Sequence, residues 1–178
     1  MRGSSPIVPI AYFPAMPTPA PKHRIFWPIV VLWLALDLVT KRWALATLHP
    51  GIPHEVLGEY LRWTLTFNRG AAMGMHLGEW SRAIFTTIGI VMLLVLGWLY
   101  RTTAPADRLR AAILGFITAG AIGNLMDRVR HGQVTDFIDA GIGTVRFWTF
   151  NVADMGITCG AIALALALEM AERRRGDQ

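Results

Sequence analysis

Eighteen consecutive residues, Ala83 to Tyr100 (AIFTTIGIVMLLVLGWLY), carry no charged side chain. A run of that length spans the hydrocarbon core of a bilayer as one helix, because about 20 residues rising about 1.5 Å each cross about 30 Å. Three other runs are comparable: about Phe26 to Leu48, about Leu109 to Met126, and Val152 to Met170. Backbone in lipid must satisfy its own hydrogen bonds, so these runs are predicted to be helices. In a chain of 178 residues they leave room only for a small bundle with short connections. Composition agrees, since 53% of residues are hydrophobic and 16% charged, the proportions of a multi-pass membrane protein.

Charge and cysteine usage exclude several function classes. The net charge of +5 comes from basic residues that flank the apolar runs instead of forming one patch. That pattern suits anionic lipid headgroups and argues against nucleic acid. The single Cys159 lies inside the fourth run, so the chain has no internal disulfide and no thiolate zinc site. A small packed residue is the expected role. The five histidines (His23, His49, His54, His76, His131) show no metal-ligand spacing.

Residues 1–24 are proline-rich and are expected to form a disordered amino-terminal extension. Residues 25–171 read as a single four-helix membrane domain, followed by a basic tail over 172–178. Four spans put both termini on one side, and the basic tail makes that side cytoplasmic. The polar interval 49–81 contains one alternating stretch, Leu61 to Phe67, which predicts a short strand. Asn68-Arg69-Gly70-Ala71 and Ala72-Met73-Gly74 follow it. Asn68 fits equally as an amide donor to a substrate carbonyl and as a turn former. Gly115, Ala119 and Gly123 recur every four residues in the third run, and Gly156 and Gly160 form a GxxxG in the fourth. Such faces allow close helix packing.

The ionisable residues at the segment ends carry the chemistry. Asp37 and Lys41 share one face of the first span at i, i+4, either as a neutralising ion pair or as an anchor beside a site. Asn124, Asp127 and Arg128 share one side at the end of the third span, where an Asp127–Arg128 ion pair and cap is the favoured role for Asp127. Asp136 and Asp139 fall in the connection that follows, and Asp154 in the first turn of the fourth span. An aspartate there is ordinarily a cap, favoured by the helix dipole. Antiparallel neighbouring helices would nevertheless bring Asp136 and Asp154 together. Two carboxyls in a poorly hydrated place cannot both ionise easily, so one holds a proton near neutral pH and the other accepts one.

Five blocks then stand in order along residues 25–170: Asp37-Leu-Val-Thr-Lys41, Asn68-Arg-Gly-Ala-Ala72, Gly123-Asn-Leu-Met-Asp-Arg128, Val134-Thr-Asp-Phe-Ile138 and Phe150-Asn-Val-Ala-Asp154. In these blocks the chain resembles lipoprotein signal peptidase (signal peptidase II), a bacterial inner-membrane aspartyl peptidase family. The resemblance implies an all-α membrane protein, a four-transmembrane-helix bundle with a small extracytoplasmic β element between the first two helices. It implies catalytic Asp136 and Asp154, substrate-binding Asn68, Asn124, Arg128 and Asn151, and structural support from Asp37, Lys41 and Asp127. It implies no metal and no cofactor. Its substrates would be prolipoproteins bearing a diacylglyceryl-cysteine, cleaved just before that cysteine by a monomer among membrane lipids, with the site near the outer face of the membrane. Met73 and Met155 depart from the family's usual phenylalanine and serine. Two other classes compete: a small proton-coupled transporter, which also uses intramembrane charges, and an assembly factor built on the GxxxG faces. A transporter would spread its carboxylates across the membrane depth, whereas here they gather at one end.

Overall fold

The computed structural model describes residues 21–70 and 80–176. The expected disordered extension up to residue 20, the Ala71–Gly74 small-residue segment and the last two residues lie outside the described residues. Four long helices are present: α1 (His23–Thr47), α2 (Ser81–Thr102), α3 (Arg108–His131) and α4 (Val152–Gly176). By length and composition α2, α3 and α4 can each cross a membrane. α1 matches them in length but carries Asp37, Lys41 and Arg42 in its second half.

α3 is the hub, packed against each of the other three helices. Its small residues make that possible. A Cβ at Gly123 would run into the Asp37 carboxylate on α1, and one at Gly120 would run into the Ala153 carbonyl on α4. The α4 GxxxG meets α3 and α1 in turn, with Gly156 against the Phe116 carbonyl of α3 and Trp33 of α1, and Gly160 against Ile117 of α3. Both small-residue faces read from the sequence are therefore helix contacts. Phe26, Val30, Leu96, Ile113, Leu114 and Ile117 form the core of the bundle.

The β element is larger than expected and is not confined to the first interval. Strands β1 (His54–Leu57) and β2 (Leu61–Asn68) lie between α1 and α2, but β3 (Val134–Ile142) and β4 (Val145–Arg146) lie between α3 and α4. The four form one antiparallel sheet in the order β1-β2-β3-β4. Asp136 thus sits on a strand and not in a loop. β3 is buried continuously from Val134 to Asp139. A strand covered on both faces does not alternate, so its period is invisible in sequence. α3 also runs on to His131, where Gly132 (φ 72°) ends it and donates its N–H to Arg128 O at 3.0 Å. A left-handed residue at that position favours glycine. At its other end α3 begins at Arg108, so the connection from α2 is only residues 103–107.

Candidate active site

β3 and the start of α4 are stitched together before any side chain is considered. Phe150 donates its N–H to Ile138 O (3.0 Å), and the Phe150 carbonyl accepts from Ile138 N (2.8 Å) and Phe137 N (3.0 Å). The residue after that pairing is Asn151, the N-cap of α4. Its Oδ1 accepts from Asp154 N at 2.9 Å, and Asp154 Oδ2 accepts from Asn151 N at 3.3 Å. This is a reciprocal capping box written with Asn and Asp. The cap predicted for Asp154 exists, and it leaves the other carboxylate oxygen available.

That second oxygen, Asp154 Oδ1, accepts from Asn124 Nδ2 at 2.7 Å. Asn151 Nδ2 donates to Asp136 Oδ1 at 2.6 Å and also reaches Asn124 Oδ1 (3.2 Å) and Thr135 O (3.3 Å). One asparagine therefore bonds both aspartates, by its side chain on one side and its main-chain N–H on the other. Asp136 is 2% exposed and Asn151 fully buried. Burial pushes the Asp136 carboxyl from 3.8 up to about 7, and the neighbouring Asp154 charge adds to the rise. Hydrogen bonds from Asn151 and Asn68 and the charge of Lys41 pull the other way without cancelling it. Burial dominates because the charged form loses its water.

The supporting charges lie one layer deeper. Lys41 Nζ pairs with Asp37 Oδ2 at 2.9 Å and with Asp127 Oδ2 at 3.2 Å. Asp37 Oδ1 accepts from Ala153 N at 2.9 Å, which ties α1 to the first turn of α4. Asp127 Oδ2 also accepts from Thr135 N at 3.1 Å. The expected Asp127–Arg128 ion pair gives way to Asp127–Lys41, because successive residues on a helix point about 100° apart and only Asp127 faces α1. Arg128 instead lies over the Phe85 ring of α2, 5.8 Å from its centroid, within electrostatic range of Asp136 and Asp154.

Of the residues singled out from sequence, Asp136, Asp154, Asn68, Asn124, Asn151 and Arg128 meet at one end of the bundle. Asp139 does not join them. Its carboxylate is held by Arg146 Nε (2.9 Å) and Thr64 Oγ1 (3.1 Å), so it fastens β4 and β2 to β3. Phe85, Thr135 and Arg146 were not read from sequence, since each acts through a partner on a different element of the fold. Among the described residues no group of three His, Cys, Asp or Glu side chains is placed to hold a metal ion.

The chain's relationships agree with this architecture. The family model described as signal peptidase (SPase) II matches residues 29–170. A lipoprotein signal peptidase of Hydrogenovibrio crunogenus is 39% identical over 146 residues, covering 78% of this chain and 84% of that protein. One of Deinococcus radiodurans is 39% identical over 176 residues, covering 91% and 89%. A solved bacterial membrane enzyme, determined by the in meso method at 2.3 Å resolution, superposes with a TM-score of 0.73 at 34% identity over 80% of this chain and 85% of that one. A second such enzyme, at 1.9 Å resolution, gives 0.71 at 35% identity, covering 79% and 89%. None of these relatives is a transporter, and that alternative falls. A membrane peptidase is what the sequence, the bundle and the relatives share, and the chain belongs to the signal peptidase II family, the lipoprotein signal peptidases.

Proposed function

We propose that this chain is an aspartyl endopeptidase that removes signal peptides from prolipoproteins, cutting on the amino side of a cysteine that already carries diacylglyceryl. The observation that carries the reading is the bridging of Asp136 and Asp154 by Asn151. The Asp154 side chain accepts two N–H groups, from Asn124 Nδ2 and Asn151 N, and donates from neither oxygen, as a carboxylate does. Asp136, with its carboxyl raised to about 7, keeps a proton well above the pH at which an ordinary aspartate loses it, and is the acid of the pair. Water attacks the scissile carbonyl carbon while its proton passes to Asp154 and Asp136 protonates the carbonyl oxygen. The resulting diol collapses: the C–N bond breaks, Asp154 returns its proton to the leaving nitrogen, and Asp136 recovers one from a hydroxyl. Arg128, Asn68 and Asn124 flank this place and are assigned to the substrate backbone. Asp37, Lys41 and Asp127 hold the frame.

We assign α1 as a fourth span, which makes the fold a four-helix membrane bundle. At 25 residues it is about 37 Å long. Its charged pair turns inward, whereas Val31, Leu32, Leu36 and Val39 face outward, as a lipid-facing helix requires. Arg24, Arg101, Arg108 and Arg173 lie at the end of the bundle opposite the sheet. By the positive-inside rule that end, with both termini, is cytoplasmic and the aspartates are near the outer face. The apolar diacylglyceryl chains would stay in the lipid, each buried CH2 contributing about 0.8 kcal/mol. A single chain supplies every residue of the site, so a monomer is sufficient.

The test is processing of a diacylglyceryl-modified prolipoprotein in proteoliposomes. Asp136→Asn and Asp154→Asn should each lower turnover by at least about a hundredfold while keeping a cooperative thermal transition. Wild-type turnover by either protein would remove the aspartyl mechanism.

A further inference from the structure

Lys41 touches neither Asp136 nor Asp154, yet it ends on the asparagine that does. Its Nζ forms ion pairs with Asp37 Oδ2 (2.9 Å) and Asp127 Oδ2 (3.2 Å) and donates a hydrogen bond to Asn124 Oδ1 (3.2 Å). An ammonium can only donate, so the atom of Asn124 turned toward it must be the oxygen. The amide nitrogen is then necessarily the atom turned toward Asp154, which it meets at 2.7 Å. Rotating that amide would set its N–H against the ammonium and its oxygen against the carboxylate. The Asn151 amide is fixed by similar logic, because the Asp154 backbone N–H occupies its Oδ1. Lys41 is 3% exposed, so water cannot replace any of these contacts at no cost.

We infer that Lys41 is a positioning residue for hydrolysis: it locks the Asn124 amide so that N–H faces Asp154, and its charge helps set where the shared proton resides. The inference rests on the aspartyl reading above. The charged groups within electrostatic range of Asp136 are Asp154 from α4, Arg128 from α3 and Lys41 from α1, and Lys41 is itself paired with Asp37 and Asp127. Asn68 faces it from β2 without charge. Among them Lys41 lowers the Asp136 carboxyl, so loss of its charge should raise it further. If hydrolysis requires Asp136 protonated, turnover should fall as pH rises through about 7. Without Lys41 that decline should move to higher pH.

Removing Lys41 alone would leave two buried carboxylates unpaired, so the comparison is made in an Asp37→Asn background. Asparagine there keeps an oxygen for the Ala153 N–H. The double variant Asp37→Asn/Lys41→Met should lose about tenfold or more in kcat relative to Asp37→Asn, with the basic limb of its pH profile displaced upward. Asp37→Asn/Lys41→Gln keeps an N–H for Asn124 without the charge. It should recover part of kcat while its limb stays displaced. A folded Met variant with the kcat and pH limb of Asp37→Asn overturns the inference. So does loss of cooperative melting in both neutral variants while Asp37→Asn melts normally, since Lys41 would then be structural only. Asp136→Asn, run alongside, keeps the two ideas apart: turnover there removes the aspartyl reading itself, whatever Lys41 does.

Discussion

Asp136 carries a cost that the rest of the site is arranged around. Its carboxyl ordinarily titrates at 3.8 and here titrates near 7. Between those values the unfolded chain has released a proton that the folded chain keeps. The unfolded state therefore binds fewer protons, and stability falls as pH rises from about 4 to about 7. The ceiling on that loss is about 4 kcal/mol, at about 1.4 kcal/mol per pH unit. Thermal melts of the detergent-solubilised protein across this window should show the decline, and Asp136→Asn should flatten it. A slope unchanged by that substitution would mean that the raised carboxyl lies elsewhere. The residue types at the site were legible in the sequence because aspartate and asparagine beside apolar runs are costly. Which oxygen bonds which nitrogen was not, since Asn151 acquires its bridging role only when β3 lies beside its helix.

At the scale of elements, α3 owes its central place to glycine and alanine where longer side chains would hold the helices apart. Gly120→Ala would press a methyl group into the Ala153 carbonyl and within 2.9 Å of Ile157 Cγ1. Backbone cannot retreat as a flexible side chain can, so α3 and α4 must separate, at a cost of about 1–3 kcal/mol. Ala153 precedes Asp154, and turnover should fall with stability. Gly97→Ala on α2 is the control, because its added methyl meets nothing within 4 Å. Melting temperatures of the two proteins check this: the first should drop by several degrees, and the second should hold or rise slightly. Equal responses would show that the α3–α4 contact is not limiting. The helices and the small-residue spacing could be read directly from sequence. β3 could not, since its burial on both faces and its two aspartates mask the strand pattern.

At the scale of the whole molecule, the bundle is inside out by the standards of a soluble protein. Leu32 on α1 is 70% exposed and Leu94 on α2 69% exposed, whereas Asp37 is fully buried. Lipid as the surrounding solvent explains both. Leu32→Lys, near the middle of α1, should reduce membrane integration by about 3 kcal/mol if α1 is a span, measured as the integrated fraction in a translocation assay. Indifference to the lysine would leave α1 against water and the four-span reading unsupported. The apolar runs, the faces on which helices approach, and the family blocks are properties of local order along the chain. Periodicity and length record them, and the sequence alone determined them. The meeting of Asp136 with Asp154, the diversion of Asp127 from Arg128 to Lys41, and the closure of a four-stranded sheet across two separate intervals were decided only by tertiary structure. Each depends on distance between residues remote in the chain, and the Phe150–Ile138 pairing that brings the aspartates together is made by backbone atoms that every sequence possesses.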